Sequence, residues 1–197
     1  MSLLNKNTFF VKEHVGYFKA ANAYDVLDPA TGQIIGTVRE TIPNFFIKLL
    51  KFTKMKTSLP FTVDIFDDDG KKLITLKRGF TLFRSSVNVL GANDQKLGRY
   101  QQRLLSLGGK FEIHDSTDQP IAMLQGDWKG WNFTFKDKQG RELAKVTKKW
   151  AGLGKELFTS ADNYAVDVNP QVTEQGLKML VLSAAFCVDM VLKEGGR

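Results

Sequence analysis

The stretch LKMLVLSAAFCVDMVLKE, residues 177–194, is the most apolar part of a chain that carries a formal net charge of +7. As a helix, the apolar run 177–192 is about 24 Å long, whereas the hydrocarbon core of a bilayer is about 30 Å thick. Lys178 and Asp189 lie within the run, and both side chains are costly in lipid. We therefore do not expect this segment to span a membrane.

The apolar side chains of this run do not keep to one face of the predicted helix. One side is marked by Leu180, Val181, Ala184 and Val188, and the other sides by Met179, Leu182, Phe186 and Met190. A helix that is apolar nearly all round is one surrounded by protein. The rest of the chain is therefore expected to enclose residues 177–192 as a central buried helix.

Five segments before this helix share one pattern of alternating apolar residues, a turn cluster, and a second apolar run. They are YDVLDPATGQIIG (24–36), VDIFDDDGKKLI (63–74), VNVLGANDQKLG (87–98), FEIHDSTDQPIA (111–122) and FTFKDKQGRELA (133–144). The pattern predicts a series of β-hairpins. A sixth and less clear unit is ELFTSADNYAVDV, residues 156–168.

The turn clusters repeat the same residue types at matching places. Aspartates stand at positions 28, 67, 115 and 137, and glycines follow at positions 32, 70 and 140. An Asp side chain can cap a turn, and Gly supplies a positive φ where the turn requires one. The repeats predict architecture and carry no information about activity.

Hairpins in series predict a meandering antiparallel sheet of about ten to twelve strands. A sheet of that size leaves exposed edges unless it closes, and a closed barrel has a lumen that a helix can fill. We therefore expect a mainly β fold, a closed antiparallel barrel of serial hairpins that encloses the C-terminal helix. The whole chain, residues 1–197, is expected to form a single domain.

The segment WAGLGKELFTSADNYAVDV, residues 150–168, together with the tail helix resembles the phospholipid scramblase family. The family pattern W-x-G-x-x-K/R-E-x-F-T-D-A-D-x-[FY] is matched at Trp150, Gly152, Glu156, Phe158, Thr159, Ala161, Asp162, Asn163 and Tyr164. The opening at 24–32 and the internal Asp189 also resemble this family. The wider resemblance is to tubby C-terminal-like and LURP-one-related proteins, which implies a twelve-stranded barrel around a hydrophobic helix.

The chain departs from that family in its candidate calcium segment. The resemblance implies acidic residues at the first, third and last positions, where this chain has Ser160, Asp162 and Gln171. Asp162, with Asn163 and Asp167 nearby, is thus a degenerate candidate metal site. Calcium takes six to eight oxygen ligands, and this stretch offers few of them. We therefore expect neither calcium nor any other cofactor.

The sequence contains no arrangement typical of an enzyme. His14 and His114 lack the spacing of a zinc site, and His114 is expected at the surface beside a turn. Cys187 is the single cysteine; it is expected to be a small buried hydrophobe, and its solitary use fits a reducing cytoplasm. No signal peptide is expected at the start of the chain.

The segment NFFIKLLKFTKMKTSLP, residues 44–60, interrupts the hairpin rhythm. It carries Lys48, Lys51, Lys54 and Lys56 without an acidic residue, and its apolar residues recur at helical spacing. This composition is typical of a membrane-surface segment. The alternative is a helix that covers one end of the barrel with its lysines toward solvent. The four lysines are the candidate lipid-binding residues.

Three functions remain open from the sequence. The first is a non-enzymatic domain, cytoplasmic and peripheral at the membrane, that binds anionic phospholipid head groups. The second is a soluble domain that binds an unidentified protein partner and has no lipid role. The third, which we do not favour, is a true scramblase that moves lipids between leaflets. Nucleic acid is not an expected partner, because Trp128 and Trp131 near Lys129 are expected in the core and rim of the barrel.

Overall fold

The structure is a computed structural model, and it describes residues 3–14, 21–42, 47, 58–103, 110–127, 130–148 and 163–192. Within these ranges the chain forms a short 3-10 helix at Leu3–Asn5, a series of β-strands, and a long helix α1 at Gln175–Leu192. The strands are β1 (Thr8–Glu13), β2 (Ala23–Leu27), β3 (Ile34–Thr41), β4 (Phe61–Asp67), β5 (Lys72–Arg78), β6 (Ser86–Gly91), β7 (Lys96–Gln102), β8 (Lys110–Asp115), β9 (Pro120–Asp127), β10 (Asn132–Asp137), β11 (Glu142–Thr147) and β12 (Asn163–Val168).

The strands form a closed barrel in the order β1-β12-β11-β10-β9-β8-β7-β6-β5-β4-β3-β2. Strand β1 closes it, because Val11 of β1 lies opposite Val26 of β2 on one side and Tyr164 of β12 on the other. Closure pairs each of the twelve described strands on both sides, so none of them has a free edge to pair with another chain. The prediction of a twelve-stranded antiparallel barrel of serial hairpins is confirmed.

The two ends of the barrel differ in the connections that they carry. At one end, here called the turn end, short turns at 28–33, 68–71, 92–95, 116–119 and 138–141 join the strands of each hairpin. At the opposite end, the loop end, the chain leaves one strand and enters the next across residues 14–22, 42–60, 79–85, 103–109, 128–131 and 148–162. Helix α1 follows β12 at the turn end and runs toward the loop end.

The hairpin turns have the chemistry that the sequence predicts. Asp67 Oδ1 accepts hydrogen bonds from the backbone N–H groups of Asp69 and Lys71, at 3.1 and 2.8 Å. The left-handed position of each turn is held by Gly32 (φ 69°), Gly70 (φ 77°), Asp94 (φ 58°), Asp118 (φ 64°) and Gly140 (φ 81°). A register shift precedes each of these turns, so each hairpin carries a β-bulge.

Helix α1 fills the barrel. All of its side chains from Leu180 to Met190 are buried, and it packs against β5, β6, β7, β11 and β12. The strands supply the other half of this core by alternation, as in β4, where Val63 and Ile65 are fully buried and Asp64 between them is partly exposed. The predicted enclosure of the apolar tail is thus confirmed. Among the described residues, no helix is both long and apolar enough to cross a membrane.

His114 is a correction to the sequence analysis, which expected it at the surface. The residue is 8% exposed, and its Nδ1 atom lies 3.0 Å from the carbonyl oxygen of Asp118. The register of the β8–β9 pair shifts between Ile113 and His114, and both residues are buried. The bulge breaks the alternation of the strand at this point, which a strict period of two does not predict.

Candidate functional site

The exposed charges at the loop end are mainly positive. In the described connections and the last three residues of each strand at this end, the exposed cations are Lys12, Arg39, Lys77, Arg84, Arg103, Lys110 and Lys145; these define the basic rim. The exposed acid in the same set is Asp127. A concentration of one sign of charge attracts a surface of the opposite sign. The loop end is therefore the candidate site for an anionic partner.

The turn end carries exposed charges of both signs. Its exposed acids are Asp68, Asp69, Asp94, Asp118, Glu142, Asp167 and Glu174, and its exposed cations are Lys71, Lys96, Lys138 and Arg141. Several of these groups neutralise one another, as where Asp118 accepts from Lys96 Nζ at 2.6 Å and Arg99 Nε at 2.8 Å. The barrel is thus polarised along its axis, with the basic rim at one end.

The four lysines predicted to bind lipid, Lys48, Lys51, Lys54 and Lys56, lie outside the described residues. The connection that contains them joins β3 to β4 at the loop end, between Thr41 and Phe61. Ile47, which the structure describes within this connection, is helical and buried. The described ends of this connection, at 41–42 and 58–60, therefore lie at the same end of the barrel as the basic rim.

Arg78 fastens the end of this connection to the barrel wall. The residue is 3% exposed, and its Nε and Nη2 atoms donate to the carbonyl oxygen of Leu59 at 3.2 and 2.6 Å. Its guanidinium carbon lies 4.5 Å from the centre of the Phe61 ring. Charge-assisted bonds of a buried Arg hold the backbone that they reach. Arg78 thus fixes where the basic connection re-enters β4.

The connection between β5 and β6, residues 79–85, lies beside this anchor. The backbone N–H of Thr81 donates to the carbonyl oxygen of Ser58 at 3.1 Å, so the two connections contact one another. Phe80, Leu82 and Phe83 of this connection are exposed to solvent. The sequence analysis did not select these residues. The signal available was GFTLF at 79–83, three large apolar residues without alternation between two arginines.

Trp131 lies at the loop end as a rim residue, as the sequence predicts. It is partly buried against the core, and its ring stacks on that of Tyr164 with centroids 5.1 Å apart. Lys148 Nζ lies 4.7 Å from the centre of the indole, a cation–π contact. The indole face is thus occupied within the protein. Trp128 and Lys129 lie outside the described residues.

Polar groups on α1 hold the helix inside the barrel near the loop end. Asp189 is 2% exposed, and Tyr24 donates its hydroxyl hydrogen to Asp189 Oδ2. Burial, with the adjacent Asp189 second, raises the pKa of Tyr24 well above its ordinary value, so the phenol remains a donor. This bond joins the helix to β2 across the core. The buried carboxylate therefore has a structural partner.

A second tyrosine ties α1 to the wall nearer the turn end. The hydroxyl of Tyr100 on β7 contacts the carbonyl oxygen of Leu180 and, at 2.6 Å, Ser183 Oγ. Ser183 Oγ in turn lies 2.7 Å from the carbonyl oxygen of Met179. Cys187, on the same helix, is 1% exposed, and burial raises the pKa of its thiol. The cysteine is the small buried group that the sequence predicts.

A cavity of about 460 Å³ opens at the turn end beside the start of α1. Its charged lining is Lys96, Asp115, Asp137, Arg141 and Glu174. Asp115 Oδ1 accepts hydrogen bonds that hold its own turn, and Asp137 Oδ2 accepts from Arg141 Nε at 2.6 Å. The Thr117 hydroxyl, followed by backbone N–H groups, holds the pKa of Asp115 below its ordinary value. These carboxylates serve the hairpin turns.

The described part of the candidate calcium segment does not converge on one point. Asn163 and Asp167 lie four residues apart on β12, a separation of about 13 Å at the rise of a β-strand. Calcium–oxygen distances are about 2.3–2.6 Å, so these two residues cannot bind one ion together. Asp167 Oδ1 instead accepts from Thr8 Oγ1 at 2.8 Å. Asp162 lies outside the described residues, so its role as a candidate metal ligand stays a prediction.

Comparison with known proteins relates the whole barrel to one family. The Scramblase family pattern matches residues 5–194 of the chain. Altered inheritance rate of mitochondria protein 25 of Saccharomyces cerevisiae is 24% identical over 201 residues, which cover 86% of this chain and 61% of that protein. Phospholipid scramblase 2 of Homo sapiens is 24% identical over 195 residues, which cover 91% of this chain and 63% of that protein.

One solved structure shares the fold. A crystal structure of a protein from Arabidopsis thaliana matches with a TM-score of 0.52 at 11% identity, covering 96% of this chain and 92% of that one. The chain spans only part of the length of its longer relatives. A phospholipid scramblase family protein of Schizosaccharomyces pombe is covered over 41% of its length, and phospholipid scramblase 2 of Bos taurus over 51%.

Proposed function

This chain belongs to the scramblase family, and from that membership and the charge of its loop end we propose that it is a peripheral binder of anionic phospholipid head groups. The observation that carries the proposal is the basic rim, which gathers exposed cations at one end of the barrel. Relatives named phospholipid scramblase supply the class of ligand. The protein binds lipid without chemical turnover.

The lysines of residues 44–60 strengthen this surface in the proposal. Each basic residue close to an anionic leaflet contributes about 1 kcal/mol to binding. The connection that contains Lys48, Lys51, Lys54 and Lys56 has its described ends at the loop end, and in this proposal the four lysines act together with the basic rim. The cytoplasmic leaflet is the anionic surface that we expect the protein to meet.

Co-sedimentation with vesicles tests the proposal. Wild-type protein is expected to bind vesicles of phosphatidylcholine with phosphatidylserine, and this binding is expected to weaken as the salt concentration rises. It is not expected to bind vesicles of pure phosphatidylcholine. Calcium is expected to have no effect. Replacing Lys48, Lys51 and Lys54 together by Glu is expected to weaken binding about a hundredfold or more. The melting temperature is expected to stay unchanged.

A matched control places the same charge change at the other end. Lys71→Glu, Lys72→Glu and Lys138→Glu together alter the net charge equally, but at the turn end. This variant is expected to keep most of the wild-type binding. If both triple variants lose binding to the same degree, net charge alone explains it, and the loop end is not the binding surface.

The second candidate is a domain that binds a protein partner and has no lipid role. The observation behind it is the exposed apolar connection 79–85, since an exposed apolar cluster also suits contact with a protein. Failure of wild-type protein to bind any vesicle, at low or high salt, would support this candidate instead. Transport of lipid between leaflets is not part of the proposal, because the short helix α1 is buried inside the barrel and cannot also span a bilayer. A flip assay in reconstituted vesicles tests that point.

A further inference from the structure

The connection between β5 and β6 exposes a cluster of large apolar side chains. Phe80 is 70% exposed, Leu82 84% and Phe83 85%. Among the described residues, the other exposed large hydrophobic side chain is Ile34, which is 52% exposed and lies at the turn end. Isolated exposed apolar residues are ordinary, but a contiguous cluster marks an interaction surface.

Hydrogen bonds hold the backbone of this connection in place. Thr81 donates its N–H to Ser58 and its Oγ1 hydrogen to the carbonyl oxygen of Arg84, at 3.1 and 2.9 Å. Arg84 Nε donates to the carbonyl oxygen of Gln102 at 2.8 Å. The connection is therefore fixed at its middle and at its end. Its apolar side chains project into solvent from an anchored backbone.

Exposed cations lie on the strands and connections that adjoin this cluster at the loop end. Arg84 closes the connection itself, and Lys77 precedes it on β5. Arg103 and Lys110 follow on the adjoining β7–β8 side, where the N–H of Arg103 donates to the carbonyl oxygen of Lys110 at 2.9 Å. Exposed apolar side chains next to cations complement a bilayer surface, whose head groups are anionic and whose interior is apolar.

We propose that Phe80, Leu82 and Phe83 insert into the interfacial region of an anionic bilayer, while Arg84 and the adjoining basic rim contact the head groups. This inference rests on the proposed lipid-binding function and names the part of the surface that enters the membrane. The basic rim supplies attraction that salt weakens, and the three apolar side chains supply attraction that salt does not weaken. The projection of the three side chains favours a bilayer as the occupant, because an extended plane can receive them together with cations from several strands.

An environment-sensitive fluorophore tests the insertion directly. Leu82→Cys can be labelled selectively with a nitrobenzoxadiazole probe, because Cys187 is 1% exposed and the pKa of its thiol is raised by burial. On addition of phosphatidylserine-containing vesicles, the probe is expected to shift its emission to the blue. Lipids with a nitroxide in the upper acyl chain are expected to quench it. The matched control is Ile34→Cys at the turn end, whose probe is expected to stay in water.

Removing the apolar side chains tests their contribution. The combined variant Phe80→Ser, Leu82→Ser and Phe83→Ser is expected to weaken vesicle binding about tenfold or more, and the loss is expected to persist at high salt. Its thermal stability is expected to be unchanged, since these side chains are exposed. Ile34→Ser is the control for loss of an exposed apolar side chain, and it is expected to bind as wild type does.

The outcomes separate this inference from the function on which it rests. If wild-type protein does not bind anionic vesicles, the proposed function fails and the insertion fails with it. If wild type binds but the Leu82→Cys probe stays in water and the Ser variant binds equally well, the insertion alone is overturned. If the Ser variant instead converts a dimer to a monomer, by light scattering, with unchanged vesicle binding, the cluster is a contact between copies of this chain.

Discussion

At the residue scale, each hairpin of the barrel wall depends on one residue in its turn that adopts a left-handed backbone conformation. Gly70 and Gly140 adopt φ values of 77° and 81°, and an added Cβ meets nothing within 4 Å at either residue. The left-handed conformation, not lack of space, therefore explains the glycine. Asp94 and Asp118 adopt the same conformation in two other hairpins, which shows that a short polar side chain can be accommodated there.

Alanine substitution measures the cost of that conformation. Gly140→Ala is expected to lower the free energy of unfolding by about 1 kcal/mol, because an L-residue is strained at this φ. Gly79→Ala is the matched control, since Gly79 has open space around it and no left-handed φ. Urea denaturation of both variants checks the difference. Equal stability of the two variants would contradict the explanation by backbone strain.

At the element scale, α1 is held by a few specific bonds within a large apolar contact. Two polar residues within its buried part do not face water: Ser183 is fully buried and Asp189 is 2% exposed. Tyr24 and Tyr100 reach these residues from opposite parts of the wall. Buried polar groups without partners are costly, so these bonds favour one rotation and one depth of the helix in the barrel.

Two tyrosines on the wall give a matched test of that arrangement. Tyr24→Phe is expected to lower the free energy of unfolding by about 2 kcal/mol, because the buried Asp189 loses a donor. Tyr164 is also fully buried, but its hydroxyl has no hydrogen-bond partner within the described part of the chain. Tyr164→Phe is therefore expected to leave stability nearly unchanged. Chemical denaturation of both variants checks this, and a larger loss for Tyr164→Phe would overturn it.

At the scale of the whole molecule, exposed cations are concentrated at the loop end, and carboxylates paired with lysines stabilise the turn end. Lys6 Nζ lies 2.7 Å from Asp28 Oδ2, which joins the segment before β1 to the first hairpin turn. The hydrogen bond from Lys6, then that from the N–H of Ala30, holds the pKa of Asp28 below its ordinary value. Lys96 has the same effect on the pKa of Asp118.

These lowered pKa values set the direction of the acid response. A carboxyl group whose pKa is lower in the folded state contributes stability that is fully present above its unfolded pKa of about 3.9 and is lost as pH falls through the folded pKa. We expect the melting temperature to fall below about pH 4 for this reason. Asp28→Asn is expected to destabilise at pH 7 and to approach wild type in stronger acid. Lys6→Met, which removes the same pairing, is the control and is expected to follow Asp28→Asn.

The hairpins, the buried tail helix and the family could be predicted from the sequence, because the signals for them are local. Alternation and turn residues act over a few positions, and the resemblance at 150–168 to the scramblase family is confirmed by the match over residues 5–194. Strand β1 lies outside the predicted hairpins, because its partners β2 and β12 are set by closure of the barrel. Closure of the barrel brings cations from distant strands together in the basic rim. It also places Tyr24 of β2 within hydrogen-bond distance of Asp189 on α1. The apolar connection 79–85 is exposed at the same end as the basic rim. Those features depend on pairings between residues far apart in the chain, and only the tertiary structure decided them.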